Sequence, residues 1–379
     1  MKKLFILTVI IMCFAMIFSC TNKKQIKQDI IYLDVNKDYT EKSIDIEEIA
    51  DVKYIQPEFN IDYLFNFTHK YITSSTIVLF DFQTRDILFF SINGKTKTKF
   101  NRTGNGPGEY SLINSLVYDE QEDKLFALTI ANIIVYSSEG HYYYTIDLPK
   151  NNQIRNMVNY DKESLLLYHE GSAYNKNFVR ISKQDGSVIE EININHKEID
   201  LSVNRKQDGQ ITVRSMGPIV NIVKNKDGFL LNDHSNDTVY YYAGNDILKP
   251  VLVTTPPIFE IEPYIYINGF FETGDYLFLQ KIKAVRENNV LPIDYLMINK
   301  NDHSVYKQKI FSKDYTGKDI NLTPEKFNGS FDSRICLIEL TLDELSEAYA
   351  ENKLSGKLKE LVQASDDDSN NIFMLLYFK

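Results

Sequence analysis

"TIVLFDFQTRDILFFSINGKTKTKFNRTGNGPGEYSL", residues 76–112, holds one whole structural unit. Two apolar runs come first, 76–82 and 86–92, both rich in β-branched and aromatic residues. Such runs suit half-buried pleated strands. Asn93-Gly94 follows and supplies the positive φ angles of a tight hairpin. "KTKTKF" (95–100) reads as a third strand with a solvated face, and the glycine-rich stretch 102–112 then turns the chain away.

The unit recurs. "KLFALTI" (124–130) and "NIIVYSS" (132–138) precede Glu139-Gly140 and "HYYYTIDL". "SLLLYHE" (164–170) and "NFVRISK" (177–183) precede Asp185-Gly186 and "SVIEEINI". "GFLLND" (228–233) and "TVYYYAG" (238–244) lead to "ILKPVLV". "DYLFLQKI" (275–282) and "DYLMINK" (294–300) lead to "VYKQKIF", and "RICLIEL" (334–340) and "NIFMLLYF" (371–378) form a last pair. Gly94, Gly140 and Gly186 are spaced by 46 residues, and Gly186, Gly244 and Asp302 by 58. Repeats of about 40–50 residues with several strands each are the mark of a propeller. The predicted fold is all-β, a six-bladed β-propeller over residues 30–379 with a short helical insertion near the C-terminus. The insertion is 341–365, with Thr341 and Glu344 at capping-box spacing and Gly356 dividing it. Ring closure would bury an exposed edge, and "QDIIYLDV" (28–35) is the run expected to pair with the C-terminal sheet.

The N-terminus has another character. Lys2 and Lys3 precede an apolar stretch, Leu4 to Phe18, which ends in "IFSC". It resembles a bacterial lipoprotein signal: residues 1–19 would be removed and Cys20 acylated. An uncleaved membrane helix is the alternative, for which the run is short. Residues 20–29 read as a polar tether. The formal charge is −10, and −12 without Lys2 and Lys3. That balance argues against nucleic acid as a partner and against anionic lipid held by a basic patch. Of the three cysteines only Cys336 falls in the folded part, in a strand-like run that suits a buried, inert thiol.

The order of an "NGK" turn, a strand ending in "KFNRTGNGPGEY" and a further blade resembles the six-bladed, NHL-like β-propeller lipoproteins of the Bacteroidetes. Members carry a G-x-GPGEY segment after the first blade and a short helix before the last strand. Many have Asn-Pro where this chain has Asn370-Asn371. The resemblance implies a propeller anchored in the cell envelope and implies no particular activity. The basic "TNKK" (21–24) after Cys20 lacks the acidic residues linked with surface export and points to an outer-membrane anchor facing the periplasm.

Two sets of side chains are candidates for function. In the glycine-rich stretch these are Arg102, Gly104, Gly106, Pro107, Gly108, Glu109 and Tyr110. They would form either a blade-to-blade corner or a ligand loop. The stretch is no phosphate-binding P-loop, because no Gly-Lys-Ser/Thr follows. If it is a corner, Gly106→Val should damage folding. His169, Glu170, Asp233 and His234 occupy equivalent points of the third and fourth units and would face one rim, as solvated loop groups or as ligands of a metal. No histidine pair has metal-ligand spacing, and no cofactor is expected. The function expected is a lipid-anchored module binding a glycan, a peptide or an envelope protein. The alternative is a metal-dependent hydrolase or lyase with its site at the central channel, and the oligomeric state is left open.

Overall fold

The computed structural model describes residues 30–66, 68–150, 153–170, 174–207, 210–215, 219–244, 247–286, 290–323, 332, 334–366 and 369–379. The expected signal peptide, Cys20 and the tether to residue 29 lie outside the described residues.

The chain begins with strands β1 (Ile31–Asp34) and β2 (Glu41–Asp45), a helical turn α1 (Ile46–Ile49) and β3 (Ala50–Ile55). Blade 1 is Thr68–Ile72, Thr76–Asp81, Ile87–Ser91 and Thr96–Phe100 (β4–β7). Blade 2 is Ser115–Asp119, Lys124–Leu128, Asn132–Tyr136 and Tyr142–Asp147 (β8–β11). Blade 3 is Gln153–Asn159, Ser164–Glu170, Phe178–Ser182 and Val188–Ile192 (β12–β15). A separate hairpin, Val203–Gln207 and Gln210–Ser215 (β16, β17), precedes blade 4. Blade 4 is Ile222–Asn225, Gly228–Asn232, Thr238–Tyr242 and Leu248–Thr255 (β18–β21). Blade 5 is Ile265–Glu272, Tyr276–Lys283, Ile293–Asn299 and Val305–Phe311 (β22–β25). Blade 6 joins Ile335–Leu340 (β26) and Ile372–Phe378 (β27) to β3, with helices Leu342–Ala350 (α2) and Gly356–Ala364 (α3) inserted between β26 and β27. All six apolar pairs read from the sequence are antiparallel partners here, from β5–β6 to β26–β27.

The burial pattern explains why those pairs were legible. A blade is covered on both faces by its neighbours, so its middle strands are apolar along most of their length: β5 is buried at every position, with polar Thr76 and Asp81 only at its ends. The outer strand β7 keeps Lys97 and Lys99 in solvent and alternates. In blades 1–3 the turn between the third and fourth strands abuts the outer strand of the preceding blade. Gly140, at φ +80°, lies so close to Phe100 that an added Cβ would meet its ring at 2.5 Å. Gly186 meets Ile146 of β11, and Gly94 meets Ile55 of β3, in the same manner.

That pattern identifies β3 as the outer strand of blade 6, and the ring closes there: β27 pairs antiparallel with β3, from Phe373↔Ile55 to Phe378↔Ala50. This corrects the expectation that residues 28–35 pair with the C-terminal sheet. Instead β1 adds parallel to the outer edge of blade 4, Ile31↔Leu252 to Asp34↔Thr255. β2 does the same on blade 5, Glu41↔Lys307 to Asp45↔Phe311. Buried Ile31 and Leu33 alternate with exposed Tyr32 and Asp34. Such alternation marks a strand with one covered face but does not say which sheet edge it joins.

Thr341 precedes α2, but its side chain makes no capping bond, against the capping-box expectation. Asn371 Oδ1 accepts the Leu342 N–H at 3.0 Å instead, and Glu344 pairs with Lys318. Asn370 Oδ1 accepts the Phe65 N–H and its Nδ2 donates to the Tyr63 carbonyl. The Asn370-Asn371 pair thus ties the helical insertion and the blade 6 to blade 1 connection to the last strand. Cys336 is fully buried in β26. No helix among the described residues is long and apolar enough to cross a membrane.

Candidate functional site

In an antiparallel four-stranded blade, the first strand starts at the same end of the ring as the second strand finishes. Inter-blade connections reach that end too. It therefore collects the β12 start (Gln153, Arg155), the β13 end (Tyr168, Glu170), residues 233–235 after β19, and the connection leaving blade 3 (His196 to Leu201). Together these line a cleft of about 620 Å³ between blades 3 and 4.

Asp233 is its centre. Its side chain is fully buried, and it accepts the Ser235 N–H at 2.9 Å and the Ser235 hydroxyl at 2.7 Å. His196 Nδ1 lies 3.1 and 3.0 Å from the two carboxylate oxygens. That hydrogen bond raises the His196 pKa above its ordinary value, against desolvation. With Nδ1 committed to Asp233, Nε2 is the nitrogen left for a ligand. At the opposite wall Arg155 donates Nε and Nη2 to Glu170 at 2.9 and 2.8 Å, and Nη2 to Gln153 at 3.2 Å.

His234 is 5 % exposed and packs edge-on to Tyr266. Asn221 Nδ2 donates to its Nδ1 at 2.9 Å. Its Nε2 is buried without a hydrogen-bond partner of proper length and angle. Desolvation holds its pKa down at about 4, although Asp233 and the nearby Asn268 amide pull upward. A histidine with a depressed folded pKa stabilises the fold above its unfolded pKa, and this contribution is lost as pH falls from about 6.5 toward 4. The loss expected from His234 is on the order of 3 kcal/mol. Denaturant unfolding at several pH values checks it: stability should fall across that window, and less steeply in His234→Phe.

Of the four side chains expected at one rim, Glu170, Asp233 and His234 line this cleft and His169 does not. His169 is fully buried, its Nε2 bonded to the Lys176 carbonyl at 2.8 Å and its ring against Tyr174. The reading of solvated loop groups is corrected for His169, Asp233 and His234, which packing between the blades buries. Among the described residues no three His, Cys, Asp or Glu side chains are placed to hold a metal. Sequence reading missed Arg155, His196, Glu198 and Asp200. The one usable signal was the unusual length of the connection from blade 3 to blade 4.

The glycine-rich stretch joins β7 to β8. Its polar groups bond to itself and to both flanking blades. Glu109 accepts the Gly106 N–H at 2.7 Å. Arg102 donates Nε and Nη2 to the Gly140 carbonyl at 3.2 and 3.0 Å. Tyr110 is buried, and its hydroxyl donates to the Arg85 carbonyl at 2.8 Å. Glu109→Ala is expected to cost about 1 kcal/mol, the worth of one charge-assisted hydrogen bond at an exposed site. Thermal unfolding measures it. In the proline-rich stretch 254–271, residues 256–264 form the blade 4 to blade 5 connection and the rest lies in β21 and β22, with Ile258 buried and Phe259 exposed.

No curated protein matches this chain. Among solved structures it is similar to a candidate exported protein of Bacteroides fragilis, at 17% identity and TM-score 0.62, covering 93% of this chain and 100% of that one. It is also similar, at 10% identity and TM-score 0.49, to a member of the duf4221 family from Bacteroides vulgatus, covering 87% of this chain and 99% of that one. At the first of these identities the likeness speaks for the fold. The family model of the Domain of unknown function (DUF4934) matches residues 30–377 with all six blades, and the chain belongs to that family.

Proposed function

We propose that this protein is a lipid-anchored envelope propeller that acts as a binding module, with its ligand seat in the cleft between blades 3 and 4. One observation carries this: a cleft of about 620 Å³ in which the buried Asp233 carboxylate holds the exposed His196 by its Nδ1. The partner classes are a glycan, a peptide or an envelope protein. The acidic balance disfavours nucleic acid. The anchor would be the lipid on Cys20, at an outer membrane and facing the periplasm, in line with the basic "TNKK" after it. Likeness of fold to a candidate exported protein supports the coarser part of this reading, export. The glycine-rich stretch serves as a corner rather than a ligand loop, since Arg102, Glu109 and Tyr110 are occupied by their own surroundings.

Pull-down from native envelope with mass spectrometry tests the module. A partner retained by the wild type and lost with a folded Asp233→Ala variant is the expected result; equal retention would remove the cleft from the proposal. Fatty-acid labelling should require Cys20, and a Cys20→Ala form that still labels would end the lipoprotein reading.

A second reading rests on Asp233 and His196. A buried carboxylate that fixes an imidazole by Nδ1 leaves Nε2 able to take or give a proton, as in general acid–base catalysis. It would make the cleft a hydrolase or lyase site without the metal expected from sequence. Turnover of an envelope glycan or peptide, abolished by His196→Ala with binding intact, would support it.

A further inference from the structure

The connection leaving blade 3 forms one wall of the cleft. Ile194 is buried in the core shared by blades 3 and 4, and Leu201 packs with Ile258, Tyr266 and Ile282. Between these two buried ends, residues 195–198 are exposed. They are fastened to the loop after β19. His196 Nδ1 meets both oxygens of Asp233. The Lys197 N–H donates to Ser235 Oγ at 2.8 Å, and Asn236 Nδ2 donates to the Asn195 carbonyl at 3.4 Å. Ser235 in turn donates its hydroxyl to Asp233 Oδ1. Asp233 is therefore the post to which the imidazole and, through Ser235, the backbone of the connection are tied.

One of these ties, the imidazole, titrates near neutral pH. Asp233 favours its charged form most, with Glu170 at the end of β13 and Glu198 beside it in support, against desolvation. The other titratable groups at hand do not compete in that range. Desolvation keeps His234 neutral down to about 4 and holds His169 below its ordinary value. Arg155 is ion-paired with Glu170, and Lys197 lies over the Phe259 ring at 4.9 Å. Asp200, further along the connection, accepts the Ser202 N–H at 3.0 Å. A histidine whose folded pKa is raised adds a hold that is fully present below its unfolded value, about 6.5, and is lost as pH rises through the folded one. What remains above it is a neutral Nδ1–H bond to the carboxylate, weaker than the charged one.

We propose that residues 195–198 form a pH-sensitive strap on the cleft, drawn against blade 4 while His196 is protonated and loosened when it gives up its proton. This rests on the reading of the cleft as a ligand seat for its purpose, but its test needs no ligand. Millisecond hydrogen exchange of the full folded protein, read by mass spectrometry between about pH 5.5 and 8.5, measures it. Each rate is divided by the intrinsic rate at that pH, and the amides of β13 and β19 serve as internal standards. Protection of the Lys197 amide, the donor to Ser235, should fall about fivefold toward the alkaline end, the difference between a charged and a neutral hydrogen bond. His196→Gln, an exposed change that keeps a neutral donor, should show the loosened level throughout, with no slope. A wild-type slope no different from that of the β13 and β19 amides overturns the proposal. So does an equal slope in His196→Gln, or a strap that loosens toward acid. In each of these cases the cleft still stands as a ligand seat, and the Asp233→Ala pull-down decides that reading separately.

Discussion

Gly108→Val is expected to lower the unfolding free energy by about 3–5 kcal/mol, the sum of a left-handed backbone penalty and overpacking. Gly108 has φ +71°, and an added Cβ would lie 2.6 Å from the Tyr142 ring. Its carbonyl accepts the Tyr136 hydroxyl at 2.8 Å, so the backbone cannot shift away without breaking a buried bond. Gly106 is a different case, contrary to the expectation from sequence. Its backbone is not left-handed, and a Cβ there would approach only the Glu109 carboxylate, at 3.1 Å, which can move. Gly106→Val is therefore expected to cost about 1 kcal/mol, mostly the strained Glu109 bond. Urea unfolding followed by circular dichroism separates the two. Equal midpoints for both variants would show that the corner does not depend on Gly108.

Removing residues 372–379 is expected to abolish cooperative folding. β27 is the middle strand of blade 6, bonded on one side to β26 and on the other to β3. Its loss opens the ring, uncovers two strand edges and removes the fully buried Ile372, Phe373, Met374, Leu375 and Leu376. Each large apolar truncation in a core costs about 2–5 kcal/mol, so the sum exceeds the 5–15 kcal/mol of a typical domain. Removing the chain up to Asp34 should be milder. It takes away only an added edge strand and leaves blade 4 with four strands of its own. Circular dichroism and thermal melting of the two truncations give the comparison. A cooperative transition in the chain lacking 372–379 would contradict closure by β27 and β3.

The amino-acid sequence by itself determined the six β-units. Middle strands covered on both faces are apolar along most of their length, and the turns pressed against a neighbouring blade in blades 1–3 are glycine, so both leave local marks such as Leu79, Phe89, Gly94 and Gly140. It also located the corner at 102–112 and the helical insertion, because glycine clustering and a change of period are local signals. Only the tertiary structure decided which strand closes the ring, since the alternation in Ile31–Asp34 and the run Ala50–Ile55 each fit any free sheet edge. It alone assembled the cleft. Asp233, His196 and Arg155 lie far apart along the chain and meet because blades 3 and 4 are neighbours in the ring. A side chain's partner across two blades leaves no mark on the residues beside it in sequence, and the burial of His234 with its unpaired nitrogen follows from packing alone.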